Sequence, residues 1–310
     1  MSYLFFCLKR SVPKTSNLKP NTQQMANPMN TTSESIPSEN KWNLALGLLC
    51  LASFIYVYYG TFLWLYERYT IPDSDYSHGF LIPFISGYFI WKKMKNLESA
   101  PMAGSKTGLI LIVLALLTHV ASVWTHVFFT SGFSILLFLV GVTLYFFGRE
   151  FTKSIAFPLA FLFFMFPLPM GAIAAISFPL KLLVSNLAGG ALSMFGFPLY
   201  REGAVVYLAK TTLTIDDPCS GIRSLISLLA LGALIAYISH TPVWKKGILF
   251  VSAIPIAIFS NVLRVCALIL AANFLGPQWA MPEHWFHTAS GMGVFGVSMI
   301  FLFLLLRILE

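Results

Sequence analysis

The chain has 310 residues, of which 57% are hydrophobic and only 10% are charged, and its mean hydropathy is +0.76. Soluble domains carry about 25% charged residues, so this composition excludes a soluble globular protein and predicts a polytopic membrane protein in contact with lipid. The net charge of +8 does not indicate nucleic-acid binding, because the basic residues lie in short loops, where they set orientation in a bilayer.

The first 40 residues differ in composition from the rest of the chain. Residues 1–40 are polar, rich in Ser, Thr, Asn and Pro, and lack an apolar stretch long enough for a signal peptide. We predict a disordered cytoplasmic tail over 1–40 and a single membrane-embedded domain over 41–310. Met25 and Met29 are alternative start positions within the tail.

Apolar stretches of about 20 residues predict membrane-spanning helices. We expect an all-α fold of about eight such helices, of which the second and the fifth are short. Their predicted ranges are 42–66, 77–91, 107–125, 130–148, 154–170, 222–239, 247–272 and 287–307.

A long loop, 171–221, separates the fifth predicted span from the sixth. Its first half, Ile173 to Phe197, is moderately apolar and contains Lys181, a pattern compatible with an interfacial or re-entrant helix. Its second half, Gly203 to Ile215, is rich in Val, Tyr and Thr and predicts short strands.

The distribution of basic residues predicts the orientation. With the N-terminus in the cytoplasm, fourteen of the 20 lysines and arginines fall in cytoplasmic segments, and every short cytoplasmic loop is positive. This arrangement predicts that both chain ends are cytoplasmic and that the 171–221 loop lies outside the inner (cytoplasmic) membrane.

A cysteine lies where this loop meets the sixth span. Asp217 and Pro218 precede Cys219 and resemble a helix N-cap and first turn, which predicts that Cys219 lies in the first turn of the helix. The helix dipole and Arg223, four residues later, would then favour the nucleophilic thiolate. The alternative is that Cys219 is only a small residue at a helix entrance.

Two further polar residues are expected at the same membrane depth. Arg264 lies within the outer half of the seventh span, where a charge is costly and marks function. The alternatives are snorkelling to the interface and a structural ion pair with Asp216 or Asp217. Asn261, one turn earlier, is placed to orient Arg264.

His287 opens the last predicted span, on the same side of the membrane as Cys219. Together Cys219, His287 and Arg264 would suffice for acyl transfer. The cysteine would attack a carbonyl, the histidine would move the proton, and the arginine would stabilise the oxyanion.

Several short motifs give the chain a family resemblance from about residue 42 to the C-terminus. The quoted motifs are Tyr76–Pro83, Phe166–Pro169, Arg201–Gly203, Cys219–Ser224, Asn261–Arg264 and His287–Gly291. In this order and spacing the chain resembles the exosortase/archaeosortase family of membrane cysteine transpeptidases, and His287 resembles the bacterial exosortase branch.

The resemblance implies both an activity and partners. Such enzymes act on secreted proteins with a C-terminal sorting signal, which is a short motif, a membrane helix and a basic cluster. They are thought to cut near the motif and to transfer the new carboxyl end to an acceptor at the cell surface. The sequence specifies neither the motif nor the acceptor.

His78 has two interpretations, because it begins the second predicted span on the non-cytoplasmic side. It either lines the substrate site or only forms a hydrogen bond at the interface, and the structural role is favoured because polar residues are ordinary at span ends. The four cysteines form no metal-binding spacing, so we expect no metal or cofactor.

Two other classes of function compete with this interpretation. One is a transporter or a glycan-handling protein of surface polysaccharide assembly, although proton-coupled transport usually places carboxylates within spans and none lies mid-span here. The other is a non-enzymatic scaffold, which leaves Arg264 unexplained.

Overall fold

A computed structural model describes residues 38–71, 74–96, 104–208, 211–215, 221–281 and 283–310. Most of the predicted tail, 1–37, lies outside these ranges. The helices are α1 (Ser38–Val57), α2 (Tyr59–Thr70), α3 (Ile82–Asn96), α4 (Lys106–Trp124), α5 (Phe128–Ser154), α6 (Ala156–Phe161), α7 (Met170–Met194), α8 (Ile222–Ile238), α9 (Val243–Phe274) and α10 (Trp285–Leu309). Within the described ranges, three single-turn 3₁₀ helices span Ser77–Phe80, Leu162–Met165 and Pro277–Ala280.

The fold is helical, but the expected count of eight spans is not confirmed. Five described helices, α4, α5, α7, α9 and α10, are long and apolar enough to cross a membrane. The pair α1–α2 gives a sixth if it is counted as one span, although the two helices meet at 63°. The predicted second, fifth and sixth spans correspond to shorter helices, and α8, with 17 residues, measures about 26 Å.

Helices α4 and α5 form a tightly packed antiparallel hairpin. A side chain at Gly108 would clash with the backbone of Tyr145 and Gly141, so the two helices approach through their glycines. Gly148 interrupts α5 with a φ of +83°, at the end of the predicted span 130–148.

A polar network connects this hairpin to α2. His119 Nδ1 lies 2.8 Å from Ser131 Oγ, which lies 2.5 Å from Thr61 Oγ1. Ser134 Oγ, one turn along α5, donates to Tyr58 at 3.1 Å. Each of these side chains is buried, and we call the group the His119 network.

The first half of the long loop 171–221 contains the 25-residue helix α7, in agreement with the helix that the sequence allowed over Ile173 to Phe197. Both ends of α7 contact the end of the bundle at which α8 begins. Met170 Sδ lies 4.0 Å from Arg68 Nη1, and the ring of Phe197, just after the helix, lies 6.1 Å from Phe274 at the end of α9. Although α7 is long and apolar enough to cross a membrane, both of its ends therefore lie at the same end of the bundle.

The strands predicted after α7 are present. β1 (Leu199–Glu202), β2 (Val205–Leu208) and β3 (Thr212–Thr214) form an antiparallel sheet in sequence order. Gly203, with a φ of +61°, begins the two-residue turn between β1 and β2. Val206 of β2 is fully buried against α7 and the outer part of α9, so the sheet packs on the end of the bundle.

The last three helices position the candidate site. Leu228 of α8, Leu249 of α9 and Leu302 of α10 are buried together at the end of the bundle where Lys245 donates to the carbonyl of Leu309. At the other end of the bundle, α8 begins beside Asn261 of α9. From Asn261, α9 continues for about 20 Å, and this outer part packs against the sheet and the last turns of α7.

The sixth span is predicted to begin at residue 222, and the described helix α8 agrees with this start. The helix begins at Ile222, and Gly221 before it has a left-handed φ of +85°. The expected cap at Asp217–Pro218, with Cys219 in a first turn and Arg223 on the same face, falls on residues that the structure does not describe. Residues 216–220, which include Cys219, lie outside the described ranges.

Candidate active site

Arg264 is the centre of a polar cluster between α9 and α10. Its Nη2 lies 3.5 Å from His287 Nε2 and 3.5 Å from the His287 carbonyl oxygen, and its Nε donates to Ser290 Oγ at 3.3 Å. His287 is only 6% exposed. The structure thus brings together two of the three residues that we predicted to be catalytic.

The start of α10 explains this arrangement. His284 caps the helix by accepting from the amide of Phe286, which places His287 in the first turn. Ser290 follows one turn later and donates to the His287 carbonyl at 2.7 Å. A side chain at Gly291 would begin 3.4 Å from Arg264 Nη2, so a small residue here lets the guanidinium approach α10.

Asn261 connects the cluster to the beginning of α8. It is 1% exposed and lies one turn before Arg264 on α9. A Cβ atom added to Gly221 would stand 2.6 Å from Asn261 Nδ2, so the backbone of Gly221 is pressed against the asparagine. Its left-handed φ also disfavours any other residue at this position.

The described neighbours of Cys219 limit where the cysteine lies. Cys219 is two residues before Gly221, so its Cα is within about 7 Å of that glycine. On its other side, Ile215 is 2% exposed and belongs to the buried cluster that includes Val262 and Val265 of α9. Both anchors of the segment therefore pack beside the part of α9 that carries Arg264.

The two supporting residues, Arg223 and His78, make contacts between α8 and the Ser74–Phe80 segment. Arg223 Nε is 3.9 Å from Asp75 Oδ1, and His78 Nδ1 is 3.2 Å from Ser227 Oγ, one turn further along α8. These contacts fasten the Ser74–Phe80 segment to the start of α8.

Other family-like motifs also make structural contacts. The hydroxyl of Tyr76 accepts from the amide of Leu168 at 3.2 Å, which joins the motif at Tyr76–Pro83 to the one at Phe166–Pro169. Arg201 donates to the carbonyl of Gly203 at 2.9 Å and to Asn186 Oδ1 at 3.2 Å, which ties the first hairpin to α7.

Three polar residues of this region were not singled out from the sequence. Ser290 belongs to the quoted His287–Gly291 motif, and its spacing of three from His287 on a helix was the available signal. Asp75 and Ser227 have no comparable pattern. Their roles depend on which segment packs against α8, and that is a tertiary contact.

A cavity of about 370 Å³ adjoins the cluster. Arg264 and Ser290 line it, together with apolar and small residues of α9 and α10. A second cavity of about 460 Å³ lies near the Asp75–Arg223 pair and is lined by Arg68, Asp75 and His126. Among the described residues no group of His, Cys, Asp or Glu is arranged to hold a metal ion.

The comparisons with known proteins agree with these motifs. The family model described as transmembrane exosortase matches residues 64–304. The chain belongs to the transmembrane exosortase family. The searches of curated proteins and of solved structures find no significant match. The matched range includes the Tyr76–Pro83 segment, the α7–sheet region and the whole Arg264 cluster.

Proposed function

We propose that this exosortase family member is a membrane cysteine transpeptidase that cleaves C-terminal sorting signals of secreted proteins and transfers them to a cell-surface acceptor. The observation that carries the proposal is the contact of Arg264 with His287 beside the segment that must contain Cys219. Family membership supports it.

In the proposed first step, Cys219 attacks the carbonyl carbon of the scissile peptide bond. The thiol proton passes to the His287 imidazole, and the guanidinium of Arg264 donates to the developing oxyanion. As the tetrahedral intermediate collapses, the carbon–nitrogen bond breaks. His287 gives the proton to the leaving amine, and the remaining carboxyl end is held as a thioester on Cys219.

In the second step a nucleophile of the acceptor attacks the thioester carbonyl. His287 takes the proton of this nucleophile, and the Cys219 thiolate leaves and is reprotonated. An acceptor amine gives an amide and an acceptor hydroxyl gives an ester, whereas attack by water gives simple hydrolysis. The pairing of Ser290 with both Arg264 and the His287 carbonyl supports a fixed guanidinium plane during both steps.

The proposal places the active site on the external side of the inner membrane, where secreted substrates arrive. We expect reporter fusions after Lys95, Lys153 and Lys246 to read cytoplasmic and a fusion within 203–210 to read external, because the basic loops face the cytoplasm. An inverted pattern would put Cys219 in the cytoplasm and contradict the proposal.

The decisive experiment co-expresses the chain with candidate sorting-signal proteins and measures C-terminal shortening by mass spectrometry. The wild-type chain should shorten its substrate, and Cys219→Ala should abolish shortening at an unchanged protein level. Cys266→Ala is the matched control. Cys266 is partly buried in α9 and lies 3.8 Å from the Ala188 carbonyl, so its loss should leave processing intact.

Two results would contradict the proposal. Full processing by Cys219→Ala would exclude the covalent mechanism. No shortening of any candidate by the wild-type chain would favour a transporter or glycan-handling role instead.

A further inference from the structure

The cavity beside Arg264 is a groove on the outside of the bundle between α9 and α10. On α9 it is lined by Ser260, Leu263, Arg264 and Ala267, and on α10 by Trp285, Phe286, Ala289, Ser290, Gly293, Val294 and Val297. Leu263, Trp285 and Val297 are exposed although both helices are apolar. The groove therefore opens sideways into lipid.

The groove extends from the outer end of α10 to about the middle of the bilayer. From Trp285 to Val297 the helix rises about 18 Å, close to half of the distance across a membrane with its headgroups. Gly293 has no atom within 4 Å of the position of an added Cβ, so the centre of the groove is open. The groove therefore follows about three turns of α10.

Its deep end holds an unsatisfied hydroxyl. Ser260 is fully buried, lines the groove, and its Oγ has no hydrogen-bond partner among the described residues. An unpaired polar group is costly in hydrocarbon, so a ligand that supplies an acceptor here gains a hydrogen bond. Lipid acyl chains have no such acceptor, whereas a peptide has a carbonyl at every residue.

We infer that this groove is the lateral docking site for the membrane segment of the substrate, and that Ser260 binds a backbone or side-chain oxygen of that segment. The inference rests on the proposed function. It specifies that the substrate approaches within the bilayer between α9 and α10, so that the residues just outside its membrane segment come to lie beside Arg264 and His287.

The first test fills the groove. Gly293→Leu places a side chain in the open space, whereas the matched control Gly296→Leu also meets open space but lies outside the groove lining. The probe is a co-expressed secreted reporter with an apolar segment of about 20 residues followed by a basic cluster. We expect Gly293→Leu to slow shortening of the reporter by about tenfold or more and Gly296→Leu to leave it unchanged.

The second test removes the hydroxyl. Ser298 is as deeply buried as Ser260, and its Oγ also lacks a hydrogen-bond partner in the described part of the chain, yet it does not line the groove. Ser260→Ala should lower reporter processing by about 2- to 12-fold, the range of one net hydrogen bond. Ser298→Ala should leave processing at the wild-type rate.

The third test does not depend on catalysis. In the Cys219→Ala background, a leucine-sized photoreactive residue replaces Leu263 on the groove or Leu304 elsewhere on the exposed surface of α10. We expect the reporter to crosslink to position 263 and not to position 304. A lipid adduct alone at position 263 would overturn the inference.

The outcomes separate the inference from the proposed function. If the reporter is shortened equally by Gly293→Leu and Gly296→Leu, the groove is not the docking site and the transpeptidase proposal stands. If the wild-type chain shortens nothing, yet the reporter crosslinks at 263 and not at 304, the docking site stands and the transpeptidase proposal fails.

Discussion

Two buried histidines in this bundle, His119 and His287, have different surroundings. His119 lies in a network of hydroxyl groups from α2, α4 and α5 and touches the Tyr58 ring, with centroids 4.3 Å apart. His287 contacts a guanidinium at the edge of a groove. Both are polar residues within apolar helices, but only the second lies beside a charge and an open space. Membrane burial of a histidine is therefore not by itself a sign of catalysis.

The largest effect that separates the two histidines should be on turnover. We expect His287→Ala to lower processing by about 10²–10⁴, because general acid–base help is lost, while His119→Ala processes substrate at nearly the wild-type rate. The measurement is single-turnover shortening of a reporter, in membranes with matched protein levels. The reverse ranking would show that the network, not the Arg264 cluster, serves the reaction.

With His287→Ala, substrate should bind and stall, because no residue takes the Cys219 thiol proton and returns it to the leaving amine. Crosslinking of bound reporter should remain at the wild-type level, which distinguishes a chemical defect from a binding defect.

Arg264 should show the next largest effect. Loss of an oxyanion donor typically costs about 10²–10³ in rate, so Arg264→Ala should fall in this range. Arg264→Lys keeps the charge but loses the planar fork that reaches Ser290 and His287 together. A large defect in the lysine variant supports directed hydrogen bonding, and near-complete rescue supports a purely electrostatic role.

Processing at the wild-type rate by both Arg264→Ala and His287→Ala would be a different result. In that case Arg264 and His287 have a structural role, and only the proposed role of Cys219 as the nucleophile remains.

The His119 network should contribute to stability instead. Ser131→Ala removes the residue that contacts both His119 and Thr61. Hydrogen bonds between membrane helices are worth about 0.6–2 kcal/mol, so the free energy of unfolding should fall by that order. Thermal unfolding in detergent provides the measurement. Ser290→Ala should lower activity more than it lowers stability. If Ser290→Ala instead lowers mainly stability and Ser131→Ala mainly activity, the His119 network and the Arg264 cluster do not differ in the way proposed.

The smallest effect is expected at the Asp75–Arg223 pair. Its atoms are 3.9 Å apart and both side chains are partly exposed, so the pair should contribute no more than about 1 kcal/mol. Asp75→Asn should therefore change processing by only a few-fold, and added salt should weaken the wild-type contact. A loss as large as that of Arg264→Ala would place Arg223 in the chemistry.

The features that sequence predicts well here are those set by local composition. Arg264 and His287 were found because a charge within a span and a histidine at the start of a helix are visible in one segment. The strands after Gly203 were likewise indicated by Val, Tyr and Thr. The contact of Arg264 with His287 depends on how α9 and α10 pack, and only their shared membrane depth could be predicted.

The features that the sequence did not predict depend on tertiary packing. The start of α8 at Ile222 agrees with the predicted span, but the left-handed Gly221 pressed against Asn261 is a contact between helices that no single segment of sequence reveals. The apolar composition of residues 173–197 allowed an interfacial or re-entrant helix, and α7 is continuous there with its buried face packed on α9 and the sheet. The count of eight spans is not confirmed, because α6 and α8, at the predicted fifth and sixth spans, are short helices.

The sideways opening of the groove has a kinetic consequence. An enzyme that is loaded from within the bilayer responds to the number of substrate molecules per unit area of membrane, not to their bulk concentration. Diluting reconstituted vesicles with buffer should then leave the turnover rate unchanged, whereas fusing them with empty lipid should slow it. Enzyme and substrate then meet by diffusion in two dimensions, and every substrate already has its apolar segment at the depth of Gly293 and Ser260.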